Sequence, residues 1–359
     1  MSLVPERGDP SRLGDDWLAP DAGRSDVPPG SPFAPWRLRA LTPAEFAASG
    51  TGERLSARQL AYLCWLNVLG PTTHNTVPQR FRLVDGAVEL WLDRKLVLPA
   101  SDPIGRQASI SVGCCLANMR LGARALGWSS TVTLAQLRPT ATRPAASGGG
   151  PLIELVRVDF AQRREQAGDV PFIDLILARK GVRAENDERG GIDDATSAEM
   201  AAVVARHELV EMHLLHDAPT RLFLGKFQEL AETTVLNRDA FALELGAWMV
   251  PDAGGHPRGM RGREFGLRHE VAERFRRGLR REIDLLPDEV AGFARAGRRG
   301  MMSASAVVVL TVEDDGVPGW LAAGAAYGKL SPRIWDRGYC TGMHARIAGV
   351  APPNLALPG

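Results

Sequence analysis

The sequence predicts an α+β fold in which mixed sheets are flanked by helices. Helical and strand patterns interleave along the chain, and Asp85-Gly86 joins two strand patterns as an antiparallel hairpin. Of the 359 residues, 45% are apolar, which is enough for a substantial core. A chain of this length suits two lobes better than one.

The first part of the chain alternates helix and strand. Its predicted elements are a helix at 56–69, strands at 79–84 and 87–93, a helix at 102–127 and a strand at 128–134. Ser56 and Gln59 predict a capping box at the first helix. Asp102 is the expected N-cap of the second helix, and Gly127 its end.

The helix at 102–127 carries small residues among its apolar ones. Gly113, Ala117 and Gly122 would let another helix approach its backbone closely. We therefore expect this helix to be buried on most sides.

A Pro-, Thr- and Gly-rich stretch at 138–151 predicts a linker. The predicted elements beyond it are a strand at 152–160, helices at 171–181 and from Thr196, a strand at 209–216, helices at 219–231, 238–249 and 267–282, a strand at 305–314 and a helix at 319–330. Thr196 and Glu199 are expected to form a capping box. The predicted organisation is an N-terminal extension (1–52), a first half (53–137), the linker (138–151) and a second half (152–359).

Composition argues against several functional classes. The formal net charge of +1 makes a uniformly basic nucleic-acid surface improbable. No apolar run is long enough to span a bilayer, and the N-terminus lacks a secretory pattern, so we expect no membrane partner. Because of the near-zero net charge, we also expect no nucleic-acid partner. Four cysteines without a CxxC pair indicate a reducing, cytoplasmic protein without a thiolate zinc site.

Two segments carry a family resemblance. The stretch GPTTHNTVPQRFRL (70–83) resembles the Pro-Ser-x-His-Asn-Thr-Gln-Pro-Trp-x-Phe segment of nitroreductase-like flavoproteins. The stretch GRQASISVGCCLANMRLGARALGWSSTVTL (105–134) resembles their central helix and following strand. The closest resemblance is to the twin-domain, Acg-like branch, in which two related halves of one chain form a pseudo-dimer.

This resemblance implies an FMN site shared between the halves. Arg179 and Arg183 are four residues apart, a spacing that places both on one face if the segment is helical, and they would bind the flavin phosphate, although such a pair is also typical of a solvated helix face. The polar loop would be the first half's contribution, although Thr and Asn are also ordinary turn residues. The implied cofactor-binding residues are Thr72, Thr73, His74, Asn75, Arg179, Lys180, Arg183, Thr341, Gly342 and Arg346.

The implied function is an FMN-dependent oxidoreductase. Hydride would pass from NAD(P)H to the flavin and on to a nitro compound, a quinone or a similar small-molecule acceptor, so no side chain is assigned as catalytic. The alternatives are a flavin-binding storage protein and a flavin-free scaffold that has lost the cofactor. Two halves in one chain favour a monomer and leave a homodimer open.

Other polar segments have a structural interpretation as well as a functional one. His213 and His216 would point to opposite faces of a strand, which argues against a metal site with His207. The basic helix at 267–282 is typical of a helix with a solvated face that carries Glu–Arg pairs. The loop at 251–266 could be a lid over the flavin or a surface loop, and the sequence favours neither.

Overall fold

The computed structural model describes residues 17–18, 41–50, 52–138, 140–145, 150–162, 172–179, 181, 191–252 and 258–343. Its helices are α1 (Pro43–Ala48), α2 (Ala57–Val68), α3 (Arg106–Ala125), α4 (Phe172–Ala178), α5 (Asp194–Val204), α6 (Ala218–Leu236), α7 (Asp239–Trp248), α8 (His269–Leu279), α9 (Pro287–Met302) and α10 (Val317–Asp336). Its strands are β1 (Trp17–Leu18), β2 (Gln79–Val84), β3 (Ala87–Asp93), β4 (Trp128–Leu134), β5 (Leu152–Gln162), β6 (Val210–Leu215), β7 (Met249–Val250), β8 (Met260–Arg261) and β9 (Val307–Val312). The predicted α+β class is confirmed.

The chain forms two compact units. Unit 1 contains the chain up to Pro99, Pro103–Arg179 and Asp314–Pro332, whereas unit 2 contains Ala100–Asp102, Lys180–Glu313 and the chain from Arg333. The boundary in the middle of the chain therefore falls at Arg179, and α10 contributes most of its length to unit 1. The relation of residues 53–137 and 152–359 as two related halves stays a prediction.

Unit 1 is built on a five-stranded antiparallel sheet with the strand order β1-β2-β3-β5-β4. The predicted hairpin is confirmed, because Val84 pairs with Ala87 across a turn in which Gly86 has φ +80°. The central strand β3 is almost wholly buried. The sheet therefore supplies a rigid base for the loop that precedes β2.

The predicted linker joins β4 to β5, which are neighbours in this sheet. The buried guanidinium of Arg94 holds it in place through three backbone carbonyls. Nε donates to Arg143 O at 2.6 Å, Nη1 to Gly150 O at 2.8 Å and Nη2 to Pro144 O at 3.3 Å. The described part of this segment is thus anchored to unit 1.

Helix α2 begins as predicted and α3 does not. Ser56 and Gln59 form the expected capping box. The predicted Asp102 N-cap is wrong, since α3 begins at Arg106 and its N-cap is Gly105, at a left-handed φ of 76°. A Cβ at Gly105 would overlap the Thr142 carbonyl, so the packed connection between β4 and β5 requires glycine there.

The small residues of α3 allow a close approach to α10. A Cβ added to Gly113 would overlap the Leu321 carbonyl, and one added to Gly324 would overlap the Ile110 carbonyl. On another face of α3, a Cβ at Gly122 would overlap the Leu66 side chain of α2. The expectation that Gly113 and Gly122 permit close packing is confirmed.

Unit 2 is mainly helical. Helix α6 packs along α9, and an apolar core cluster includes Leu236, Phe241, Leu245 and Leu279. A two-stranded antiparallel sheet pairs Val210–Leu215 with Val307–Val312, and β7 and β8 form a short parallel pair.

Several element boundaries in this part differ from the predictions. The Thr196–Glu199 capping box is wrong, because Asp193 caps α5 by accepting a hydrogen bond from Thr196 N at 2.6 Å. Helix α10 is longer than the predicted 319–330, and α9 was not predicted. No described helix combines the length and apolarity needed to cross a membrane.

Candidate functional site

The loop between α2 and β2 contains unusual backbone conformations. His74, Asn75 and Val77 have φ values of 51°, 52° and 45°. Among the described residues, Arg281 is the one other non-glycine residue with positive φ. L-amino acids rarely adopt this region, and the β-branched Val77 does so at the greatest cost. Such a loop persists only where its surroundings hold it.

Two side chains hold the loop, Thr72 within it and Ser111 of α3. The Thr72 hydroxyl accepts a hydrogen bond from Val77 N at 3.1 Å, which closes the turn. Ser111 of α3 accepts one from Thr73 N at 3.1 Å and donates to Gln107 O at 2.7 Å. Within the loop, His74 is buried and Asn75 is exposed. Ser111 was not predicted as part of the site, because nothing in its local sequence marks a contact 38 residues away.

Buried polar side chains lie at the root of the loop. Gln79, at the start of β2, donates to Asn67 Oδ1 at 3.1 Å, and both residues are fully buried. A Cβ at Gly70 would lie 2.6 Å from Cys115 Sγ, so the loop leaves α2 in direct contact with α3. Burial raises the pKa of Cys115 to about 12, against smaller lowering effects from the Gln79 side chain and the Arg179 charge.

Arg179 lies beside this root. Its Nη2 donates to the carbonyl of Leu69, the C-cap of α2, at 3.1 Å. Its Nε is buried and has no hydrogen-bond partner among the described residues. The loop and Arg179 both belong to unit 1, and Leu69 is three residues from Thr72. The structure therefore brings together five of the predicted site residues: Thr72, Thr73, His74, Asn75 and Arg179.

The remaining predicted site residues fall into two groups. Thr341 forms a parallel bridge with Gly181, and both belong to unit 2, as does the adjacent Gly342. Thr341 thus lies against the segment that follows Arg179 in the chain. The other predicted residues, Lys180, Arg183 and Arg346, lie outside the described residues.

The secondary candidates make local contacts. His213 of β6 is 3.1 Å from the Thr311 hydroxyl of β9, and no metal-binding group of three His, Cys, Asp or Glu residues occurs in the part of the chain that the structure describes. On α8, Arg276 pairs with Glu273, and Arg274 with Glu289 of α9. In the predicted lid, Asp252 accepts a hydrogen bond from Arg263 N at 3.4 Å, while residues 253–257 lie outside the described ranges.

Comparison with known proteins gives a partial match. No family model matches the chain. It is similar to the uncharacterized protein MT3212 of Mycobacterium tuberculosis strain CDC 1551 / Oshkosh and to the uncharacterized protein Rv3127 of strain ATCC 25618 / H37Rv. Each is 36% identical over 67 residues, which are 18% of this chain and 20% of the relative. The match therefore spans about a fifth of either relative and carries no activity over to this chain.

Proposed function

We propose that the protein is an FMN-dependent oxidoreductase of the nitroreductase type that takes hydride from NAD(P)H and reduces a small-molecule acceptor. One observation carries this proposal. A strained polar loop, resembling the flavin-contacting segment of that family, is held beside an arginine with a buried, unpartnered Nε. Backbone strain of this kind is concentrated at functional sites, where the surrounding structure maintains it.

The residues present suit the chemistry of FMN in part. A flavin phosphate needs cationic and amide donors, and the ring edge needs hydrogen-bonding groups. Arg179 supplies a guanidinium with an unused buried donor, and the loop from Thr72 to Asn75 supplies hydroxyl, imidazole and amide groups.

In this proposal the bound flavin supplies the redox chemistry, and the protein binds and orients it. Arg179 would neutralise phosphate charge, and its contact with the Leu69 carbonyl would fix the guanidinium in place. Thr72 and Ser111 would preserve the shape of the loop rather than touch the acceptor. The cytoplasmic location is supported by four cysteines that are all free thiols.

One observation favours the flavin-free scaffold as a second candidate. Thr72 Oγ1, Thr73 N and Arg179 Nη2 each hydrogen-bond to this chain's own groups. Because these groups already form hydrogen bonds within the chain, they hold the loop without any ligand. The two candidates differ in a single measurable property, which is whether the chain retains FMN.

The test is the visible absorption spectrum of the purified protein, taken before and after incubation with FMN and desalting. Retained flavin absorbance is expected, and Arg179→Met should weaken FMN binding by about tenfold or more because it removes a charge-assisted contact. Bleaching of the bound flavin by NADH or NADPH would then separate an oxidoreductase from a storage protein.

The matched control is Arg58→Met. Arg58 is an exposed arginine of the same unit, in the first turn of α2, and its loss should leave FMN binding unchanged. A colourless protein that neither retains added FMN nor gains thermal stability from it would refute the flavin proposal and leave the scaffold. Equal weakening by both substitutions would show that Arg179 has no specific part in binding.

A further inference from the structure

Strand β9 is a valine-rich strand that remains half-exposed. Its sequence, VVVLTV, contains no charge, and five of its six residues are only partly buried, with Thr311 exposed. The comparable apolar strand of unit 1, β3, lies between β2 and β5 and is almost wholly buried. The difference is that β9 has one strand partner, β6, among the described residues.

The outer edge of β9 lacks the usual protection against pairing. Natural edge strands carry charges, proline or a bulge. Residues 307–312 contain neither charge nor proline, and their pairing with β6 is regular from Val307 to Val312. By contrast, the partner strand β6 carries Glu211 and His213. Within the described ranges, no strand pairs with the outer backbone edge of β9.

Opposite charges lie at the two ends of β9. Arg221 of α6 donates a hydrogen bond to Ala304 O just before the strand, and its Nε is buried without a partner among the described residues. Glu313 immediately follows the strand and is exposed. If two copies of β9 lie antiparallel about a twofold axis near Val309, Glu313 of each copy faces residue 305 or 306 of the other. Each Glu313 carboxylate then approaches the end of the other copy's β9 that lies beside Arg221.

We propose that β9 pairs with β9 of a second copy of this chain, which extends the two-stranded sheet across a twofold axis. Such an interface is self-complementary, because the same edge and the same two charges serve both copies. Backbone hydrogen bonds would supply affinity, while Arg221 and Glu313 would favour antiparallel register. This proposal uses none of the residues of the proposed flavin site, so it does not depend on the flavin proposal.

The first test is the molar mass of the full chain by light scattering and sedimentation across about 1–500 μM, a range suited to a weak interface. The wild-type mass should rise from 38.7 kDa towards twice that value. A wild-type chain that remains monomeric throughout overturns the proposal. Such a result would leave the edge to another segment of the chain or to a different protein.

Proline at Val309 and at Leu310 locates the interface. Neighbouring residues of an antiparallel strand direct their N–H groups to opposite edges, so one substitution removes a donor to β6 and the other a donor to the outer edge. The variant that loses the donor to β6 should have a lower melting temperature. The variant that loses the donor to the outer edge should keep the wild-type melting temperature and remain monomeric at concentrations where the wild type is dimeric. Dimerisation that persists in this folded variant overturns the β9 interface.

A charge exchange tests the register. Glu313→Arg and Arg221→Glu should each raise the dimer dissociation constant by about tenfold, and the double variant should restore it to within about threefold. Melting temperatures would identify any loss caused by Arg221's contact with Ala304. If the double variant binds more weakly than both single variants, the antiparallel arrangement is wrong.

Discussion

At the scale of single residues, Tyr62 is the clearest case of a buried polar group without compensation. Its side chain is fully buried on α2, and its hydroxyl has no hydrogen-bond partner among the described residues. Burial raises its pKa to about 12, and the charge of Asp174 acts in the same direction. Since an unsatisfied buried hydroxyl costs roughly 1–3 kcal/mol, Tyr62→Phe should increase the free energy of unfolding, measured by denaturant titration.

The matched control is Tyr339→Phe. The Tyr339 hydroxyl donates to Gly191 O at 3.0 Å, so its removal should lower the free energy of unfolding by about 1 kcal/mol or less. A loss of stability in Tyr62→Phe similar to that of the control would show that the Tyr62 hydroxyl has a hydrogen-bond partner in the folded chain.

The buried thiol of Cys115 predicts a loss of stability at alkaline pH. Its pKa is raised by burial from 9.0 to about 12, so between these values the thiol ionises in the unfolded chain and stays protonated in the folded one. The unfolded state then binds fewer protons, and the free energy of unfolding falls by roughly 1 kcal/mol per pH unit for this group. Denaturant titrations from pH 7 to pH 10.5 should show a shallower decline for Cys115→Ala.

The exposed Cys340 supplies the control for this prediction. Cys340→Ala should leave the dependence of unfolding free energy on pH as it is in the wild type. The buried Cys114 also has a raised pKa, so some alkaline decline should persist in Cys115→Ala. An unchanged slope in Cys115→Ala would contradict the prediction.

At the scale of elements, the crossing of α3 and α10 depends on glycine. A Cβ at Gly324 would overlap the Ile110 carbonyl and lie 3.0 Å from Cys114 N. Backbone cannot move aside as a side chain can, so Gly324→Ala should lower the free energy of unfolding by about 1–3 kcal/mol. Thermal and denaturant unfolding of the full chain measure this change.

Gly292 of α9 is the matched substitution, since nothing lies within 4 Å of a Cβ added there. Alanine is the better helix former by about 1 kcal/mol, so Gly292→Ala should raise the free energy of unfolding. Opposite signs for the two Gly→Ala substitutions are the expected result. A gain at both positions would show that α10 does not pack closely on α3.

Local sequence patterns were sufficient to predict most elements of unit 1. They were less reliable for the residue at which an element starts. The hairpin at Asp85-Gly86 and the Ser56–Gln59 box are set by neighbouring residues, and both are confirmed. The start of α3 is set by Thr142, a contact between residues far apart in the chain, and the Asp102 N-cap was wrong for that reason. Helix α9 was missed because its apolar residues are interspersed with arginine and glycine.

At the scale of the whole molecule, the sequence pattern placed the candidate loop correctly between α2 and β2 but could not predict what holds it. Thr72 and Arg179 were candidates from the resemblance, whereas Ser111 and Gln79 were not. These two come from separate elements, and their roles depend on how α3 and β2 pack together. The boundary between the two units at Arg179 could not be predicted from local composition either, because it follows from strand β5 joining the sheet of unit 1.

The order of the chain makes unit 1 depend on a distant segment. Its helix α3 needs the part of α10 that ends at Pro332, although the other described segments of the unit end at Arg179. A fragment of residues 1–179 should therefore expose the small-residue face of α3 around Gly113 and Ala117, and fail to fold cooperatively. The same fragment with residues 314–336 joined through a flexible Gly/Ser linker should regain a sharp thermal transition, measured by circular dichroism.

Gly324→Leu in the joined helix provides the control, because the larger side chain cannot fit against the Ile110 carbonyl. This version should behave like the fragment without α10, whereas Gly150→Ala, where nothing lies within 4 Å of an added Cβ, should behave like the joined parent. If fragment 1–179 unfolds cooperatively by itself, α3 does not need α10, and the small residues along α3 serve its packing on α2 alone. The comparison thus shows whether the glycines at the crossing make residues 314–332 a necessary part of unit 1.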